Sequence, residues 1–303
     1  DALEGALNWV IDRHEPLRTV YPESDGRPEL SVCSGDSVVL HVDADVSVDQ
    51  WARAAEALAQ CPFDLTRDLP IRVRLHRLTD EPHHHKLTVV VHHIAADGAS
   101  MAPLAHDLAG AYADLSDGRS PSADPLPLVY RDFLRWQRES LDTRLPALTG
   151  WWRTALDGVD SAPVLLPDAP DAHDVDVEQG ADVVEVALDR GLRERLTELG
   201  GATTTEFMAI HAVLAALLRR HCADPDVHTV GADADIVIGT PVAGRADPRL
   251  AGLVGMFVNS VVLRTRVDGG WSAAELFDEV RRADLDALSH ADMPFDAVVA
   301  AVR

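Results

Sequence analysis

Leu87-Thr88-Val89-Val90-Val91-His92-His93-Ile94-Ala95-Ala96-Asp97-Gly98-Ala99-Ser100 is the stretch on which the fold is read. Its first five residues are a short apolar, β-branched run, the signature of a strand, and the run stops at two adjacent histidines. Side chains alternate along a strand, so His92 and His93 are expected on opposite faces, one packed inside and one facing a cleft. Two imidazoles so divided do not bind one metal together. Asp97-Gly98 then turns the chain. Gly98 lets another group approach the backbone and frees an N–H to face a reacting atom. Taken alone, the pair favours the plain reading of a core histidine beside an ordinary turn, because satisfied structural histidines are common.

Upstream, Ile71, Val73 and Leu75 alternate with Arg72, Arg74 and His76, the period of a half-buried strand. The polar stretch 79–86 should fold this strand back onto 87–91 as a hairpin. Downstream, Met101 to Leu115 reads as a helix. Leu3, Leu7, Val10 and Ile11 share one face of an opening helix, followed by a strand at Leu17–Tyr21, turn residues at 22–26 and a strand at Val38–Val42. Ser47 or Asp49 can cap a helix through Ala52, Ala55 and Leu58. Beyond a loop at 118–127, Tyr130–Leu141 is expected as a helix. Pro163–Ala181 lacks periodicity and reads as a linker, leading to a strand at Val183–Leu188. Helices at Asp189–Leu199, Thr205–Arg220 and Ser272–His290, with strands at Ile236–Gly239 and Phe257–Arg264, complete the chain. The order lacks the strict strand–helix alternation of a doubly wound parallel sheet, and the fold class is α+β in two lobes, 1–150 and 151–303.

The chain has 303 residues, with 50 acidic against 27 basic side chains and a formal charge of −23. That field repels phosphate backbones, so no nucleic-acid partner is expected. No apolar run approaches membrane-spanning length and no signal-peptide pattern opens the sequence. Cys33, Cys61 and Cys222 are odd in number and widely spaced, which argues for a reducing cytoplasm and against a disulfide framework or zinc ribbon. His83-His84-His85 falls in the hairpin loop, where consecutive residues do not converge on a metal. Trp151-Trp152 is expected to pack the lobe junction, and Asp224, Asp226, Asp233 and Asp235 to be solvated loop carboxylates.

His92-His93-Ile94-Ala95-Ala96-Asp97-Gly98 resembles the HHxxxDG motif of the condensation domains of non-ribosomal peptide synthetases. Other segments match the same family in order. Arg13-His14-Glu15-Pro16-Leu17-Arg18-Thr19 is similar to RHExLRT, and Tyr130 to Gln137 to YxDFxxWQ. Ile238 to Arg245 resembles GTPVAGR, Val254 to Asn259 GxFVN, and His290 to Phe295 HxDxPF. Ala99 stands where the family usually has Trp. The family's opening and closing segments have no counterpart, so the chain is expected to be a piece of a longer domain within a multimodular synthetase.

The resemblance implies two chloramphenicol-acetyltransferase-like lobes in a V, with the active site at their interface. It implies peptide-bond formation between an upstream acyl or peptidyl thioester and the amine of a downstream aminoacyl thioester. Both would ride on phosphopantetheine arms of donor and acceptor carrier proteins, with no cofactor or metal bound to this domain itself. His93 is the expected reacting side chain and the Gly98 N–H the oxyanion donor; an ordinary imidazole titrates near pH 6.5, suited to proton traffic with an amine. His92 is assigned to the packed face. Asp97 is expected to be structural, paired with Arg245 or, second, Arg18, with the Arg245 pair tying the two lobes together. An epimerization domain, a stand-alone acyltransferase and a catalytically silent domain that recruits a tailoring enzyme are the competing readings.

Overall fold

A computed structural model describes residues 1–34, 38–79, 83–159, 185–187, 189–221 and 233–303. Cys222, the Pro163–Ala181 stretch, most of Val183–Leu188, and Asp224 and Asp226 lie outside the described residues. Contacts divide the chain into two units. The first comprises Asp1–Asp142 with Ala243–Val258, the second Thr143–Val242 with Asn259–Arg303. This differs from the expected division at 150/151, chiefly because the segment 243–258 returns to the first unit.

The first unit opens with α1 (Ala2–Arg13), which buries Ala6, Leu7, Val10 and Ile11. Short strands β1 (Thr19–Val20) and β4 (Ser31–Val32) pair antiparallel, as do β2 (Glu23–Ser24) and β3 (Arg27–Pro28). The expected strand at Val38–Val42 begins later, as β5 (His41–Val46), and runs parallel to β6 (Ile71–Leu78). Between them α2 (Val48–Gln60) starts at Ser47, whose hydroxyl accepts from the Gln50 N–H while the Gln50 side chain accepts from the Ser47 N–H. β6 and β7 (His85–Val91) form the hairpin, with Ile71 opposite Val91.

The alternation along β6 does not persist. Ile71 and Val73 are buried, but the second half of the strand buries His76 and Leu78 instead of Leu75 and Arg77. The β5–β6 ladder shifts register between Asp43 and Val46, where Asp45 has a φ of 59°, and such an irregularity lets the two ends of a strand serve different faces. α3 (Met101–Ser116) follows the histidine turn. The first core joins Leu7, Val10, Ile11 and Leu17 to Ile71, Val73, Ala95, Ala96, Leu104 and Val254. Both alanines of the 92–98 motif are therefore core residues, and Val254 is supplied by the returning segment.

α4 (Tyr130–Ala155) runs well past the expected end at Leu141 and contains Pro146. A proline has no N–H to return to the carbonyl four residues earlier, here that of Asp142, and the division between the units falls at that residue. The second unit continues with α5 (Arg190–Gly200), capped by Asp189, and α6 (Glu206–Arg220), capped by Thr205. β8 (Asp233–Val242) and β9 (Asn259–Asp268) form one antiparallel ladder from Asp233↔Asp268 to Val242↔Asn259. The segment 243–258 is thus an excursion from the closed end of this ladder, and Phe257 and Val258, expected in the strand, belong to it. α7 (Ala273–Leu288) and α8 (Phe295–Val302) complete the unit. Met208, Ala209, Ala212, Phe277 and Val280 form one core cluster, and Ala215, Ala234, Ile236 and Val267 another.

Candidate functional site

β7 ends at Val91, so the two histidines are separated by a turn rather than by the pleat of a strand. The His92 N–H donates to the Pro70 carbonyl (2.8 Å), and the Ala95 N–H donates back to the His92 carbonyl (2.9 Å). His92 Nδ1 accepts from the Ile94 N–H (3.0 Å), which leaves its ring proton on Nε2 in the neutral form. Its half-buried ring meets Phe63 edge-on, 5.7 Å between centroids, and Phe63 lies under the Arg72 guanidinium. His93 is exposed on the same turn. The strand alternation expected to divide the two rings is absent, because both histidines lie beyond the end of β7.

Four residues on, Asp97 has no exposed side-chain surface. Its Oδ1 accepts from Arg245 Nη2 (2.8 Å), the Ser100 N–H (2.9 Å) and the Ser100 hydroxyl (2.7 Å), and its Oδ2 from the Phe257 N–H (3.1 Å). Burial alone would raise the carboxyl pKa, but the donors from Arg245, Ser100 and Phe257 outweigh it and hold Asp97 below the usual carboxylate value. Arg245 is nearly as enclosed, its side chain 8% exposed. Its Nη1 donates to the Leu250 and Leu253 carbonyls (2.7 and 2.8 Å), and its guanidinium lies 4.0 Å from the Phe257 ring centroid. The pair is internal to the first unit, not a tie between lobes, because the excursion carrying Arg245 packs there. Arg18 is not brought to Asp97: it donates to the Cys33 and Asp12 carbonyls (2.7 and 3.2 Å).

Two glycines allow the excursion to seat. Gly244 has a φ of 65°, and a Cβ there would fall 2.0 Å from the Phe257 carbonyl oxygen. A Cβ on Gly255 would fall 2.5 Å from the Tyr130 ring. Tyr130, at the start of α4, donates its hydroxyl to the Met256 carbonyl (2.7 Å) and meets Phe257 edge-on. Burial, the leading cause, pushes the Tyr130 pKa up to about 12. Gly98, by contrast, opens its 3₁₀ turn in free space, exposed, and among the described residues nothing accepts from its N–H. Ala99 beside it is exposed too.

The remaining motifs do structural work. Arg13 and buried His14 both reach Asp107 on α3 (2.8 and 2.9 Å), and Glu15 pairs with Arg131 (2.7 Å). Burial lowers the His14 pKa despite the Asp107 carboxylate. In the second unit, Asn259 donates to the Ala291 and Met293 carbonyls (both 2.7 Å) and accepts from the Phe295 N–H, clamping the 290–295 turn. His290 stacks on Trp151, and Trp152 is buried with its Nε1 donating to the His290 carbonyl. Both indoles therefore pack within the second unit. Asp235 sits in β8 and pairs with Arg264, so it is not a loop carboxylate. His83, His84 and His85 are exposed. Thr265, His211 and Asp284 form a hydroxyl–imidazole–carboxylate row, His211 Nδ1 at 2.8 Å from Asp284. All three are buried, so no reactant reaches them.

The family profile described as "Condensation domain" matches residues 1–303. The chain belongs to the condensation domain family. Among curated proteins, this condensation domain is 39% identical over 307 residues to a probable non-canonical nonribosomal peptide synthetase, CymA, of Salinispora arenicola. It is 38% identical over 310 residues to the isonitrile lipopeptide synthase of Mycobacterium tuberculosis. It spans 4% and 12% of those two proteins. Among solved structures, an X-domain in complex with OxyB from teicoplanin biosynthesis is 30% identical with a TM-score of 0.84, covering 99% of this chain and 65% of that one. The first condensation domain of the calcium-dependent antibiotic synthetase, at 22% identity, all of this chain, 69% of that chain and a TM-score of 0.74, shares the mixed α/β fold. No helix among the described residues is long and apolar enough to cross a membrane.

Ser100, Tyr130, Gly255 and Phe257 are the residues of this condensation-domain site to which sequence reasoning gave no role. Asp97 and Ser100 carry a local signal, a reciprocal cap at three-residue spacing. Tyr130 and Gly255 carry no local signal, since their contact is made across 125 residues of chain, and only the family-like segments around them mark them out.

Proposed function

We propose that this condensation domain forms an amide bond between two carrier-bound thioesters, with His93 as the reacting side chain. The observation that carries the reading is the pairing of an exposed imidazole with a turn locked four residues later. His93 is exposed, whereas Asp97 is wholly enclosed and bonded on both oxygens. The acceptor amine nitrogen attacks the thioester carbonyl carbon, the C–N bond forms, and the carbonyl π pair moves to oxygen. The Gly98 N–H meets that oxyanion. Collapse breaks the C–S bond, and the sulfur leaves as thiolate. His93 takes the proton the nitrogen loses and returns it to the sulfur, so product amide and free thiol balance the reactants. Tethering both substrates makes the encounter local, which supplies much of the acceleration. The donor and acceptor would be held on phosphopantetheine arms of carrier proteins belonging to a multimodular synthetase, and the two-lobed chloramphenicol-acetyltransferase-like architecture is part of the same proposal.

A second reading has one observation in its favour, the likeness at 30% identity to an X-domain solved with OxyB. Under it, the domain docks a partner enzyme and transfers nothing. The two separate in a transfer assay on the full-length protein carrying this chain. One carrier is loaded with a peptidyl thioester and the other with an aminoacyl thioester, and the acceptor mass is followed. The condensation reading expects the acceptor to gain the donor mass, and folded His93→Ala to lose at least about a hundredfold in rate, the lower end of the range for general acid–base catalysis. Absence of transfer from donors of either configuration, with a partner enzyme still bound, would leave the docking reading standing.

A further inference from the structure

Ser100 is the point at which the carboxylate, the guanidinium and the excursion meet, and neither the family motif HHxxxDG nor the reaction as proposed assigns it a part. It has no exposed surface. Its single hydroxyl proton has two acceptors, Asp97 Oδ1 at 2.7 Å and the Gly255 carbonyl at 3.0 Å. Its oxygen is approached by three donors: Arg245 Nη2 (2.8 Å), the Gly255 N–H (3.1 Å) and the Asp97 N–H (3.3 Å). The Asp97 N–H is shared, because it also points at the Gly255 carbonyl (3.2 Å). One hydroxyl thus holds both polar groups of Gly255, and its own backbone N–H caps Asp97.

The consequence reaches Gly98. Asp97 and Ser100 bracket the 3₁₀ turn that Gly98 opens, each side chain bonded to the other's N–H. The Gly98 carbonyl accepts from the Met101 N–H, which closes the 3₁₀ turn, while the direction of its own unbonded N–H follows from the reciprocal cap that brackets it. An exposed glycine turn without such a bracket samples many conformations, and a donor acts on a developing oxyanion only when it is already oriented. We infer that Ser100 is a positioning residue that orients the Gly98 N–H through its bonds to Asp97 and Gly255. This rests on the condensation reading above.

Alanine at 100 removes the hydroxyl and leaves the Gly255 N–H buried without a partner, so folding is measured together with rate. In the full-length protein, single-turnover transfer is followed at varied acceptor-carrier concentration for wild type, Ser100→Ala, Ser100→Thr and His93→Ala, with thermal unfolding of each. The expected result for Ser100→Ala is a transfer rate at saturation down about 10–100-fold, short of the loss from deleting an oxyanion donor outright. The half-saturating acceptor concentration should stay within about twofold, because the serine touches no substrate. Ser100→Thr, which keeps the hydroxyl, should recover at least tenfold of that loss. A folded Ser100→Ala that transfers at the wild-type rate overturns the inference. So does equal impairment of Ser100→Ala and Ser100→Thr with both folded. Should Ser100→Ala not fold, Ser100→Cys is the arbiter: it preserves shape with a weaker hydrogen bond, and a wild-type rate there also overturns the inference. An unimpaired His93→Ala would bring down the condensation reading instead, an outcome distinct from all of these.

Discussion

Two buried carboxylates, one in each unit, are satisfied in opposite ways. Asp97 faces a guanidinium and has every oxygen engaged. Asp284 faces His211 through Oδ1, while its Oδ2 is buried without a hydrogen-bond partner among the described residues. Arg245 keeps its charge under all ordinary conditions, whereas a histidine can shed its proton and remain as a neutral ring. The first pair is therefore committed to being an ion pair, whereas the second joins a carboxylate to a ring that can hydrogen-bond to it in either form. The difference teaches where rigidity is concentrated: beside the histidine turn, and not in the row that superficially resembles a catalytic triad.

The sharpest way to break the comparison is to delete each carboxylate. Asp97→Ala strands a buried guanidinium and should cost about 3–5 kcal/mol, the cost of breaking a buried pair by removing one partner. Asp284→Ala leaves an imidazole that can go neutral, and should cost about 1–3 kcal/mol, the desolvation of one unpaired polar group. Urea unfolding of the two variants, each at pH 7, checks the order. Equal losses would mean that the orphaned Asp284 oxygen conceals a charge network as strong as that around Asp97. Acid acts on the first pair as well. The folded Asp97 pKa is depressed, so its contribution is complete above the unfolded carboxylate value near 3.9 and disappears as pH falls through the folded value.

A smaller effect sharpens the contrast between a seated and an open glycine. Gly255→Ala drives a methyl group into the Tyr130 ring and should cost about 1–3 kcal/mol of overpacking. Gly98→Ala meets nothing within 4 Å and has no left-handed backbone to oppose it, so stability should change by under about 0.5 kcal/mol. Thermal unfolding of the pair reads this directly. Gly255→Ala combined with Tyr130→Ala should recover part of the loss, because the colliding ring is gone.

Much of this arrangement was legible in the sequence, by two different routes. Local rules located α1 with its buried stripe, α2 with Ser47 as one of two candidate caps, the β6–β7 hairpin and the turn at Asp97-Gly98. The contact of Asp97 with Arg245 came only from family likeness, since the two lie 148 residues apart and no periodicity joins them. What stayed hidden was set by tertiary context. The second half of β6 changes its buried face where its neighbour bulges at Asp45, and His76 goes inside with its Nδ1 3.5 Å from Asp43 Oδ2. α4 continues through Pro146, where a proline would ordinarily be read as an end. The excursion 243–258 reads as little more than the connection between strands at Ile236–Gly239 and Phe257–Arg264, and nothing local says that it belongs to the first unit.

The gentlest test bears on how that excursion is held. Tyr130→Phe keeps the ring against Phe257 and the space above Gly255, and removes only the bond to the Met256 carbonyl. The loss should be about 1 kcal/mol at neutral pH, the net worth of one neutral hydrogen bond. The alkaline limb distinguishes this from a packing defect. A phenol with a folded pKa of about 12 against about 10 when unfolded favours the fold in its neutral form. Its contribution is complete below about pH 10 and is lost as pH rises through the folded value. Stability of the wild type should therefore decline over that window, and the Phe variant should decline less, so that the two curves converge at high pH. Parallel curves would place the alkaline sensitivity elsewhere and leave the Tyr130 hydroxyl as a bond whose proton the fold does not protect.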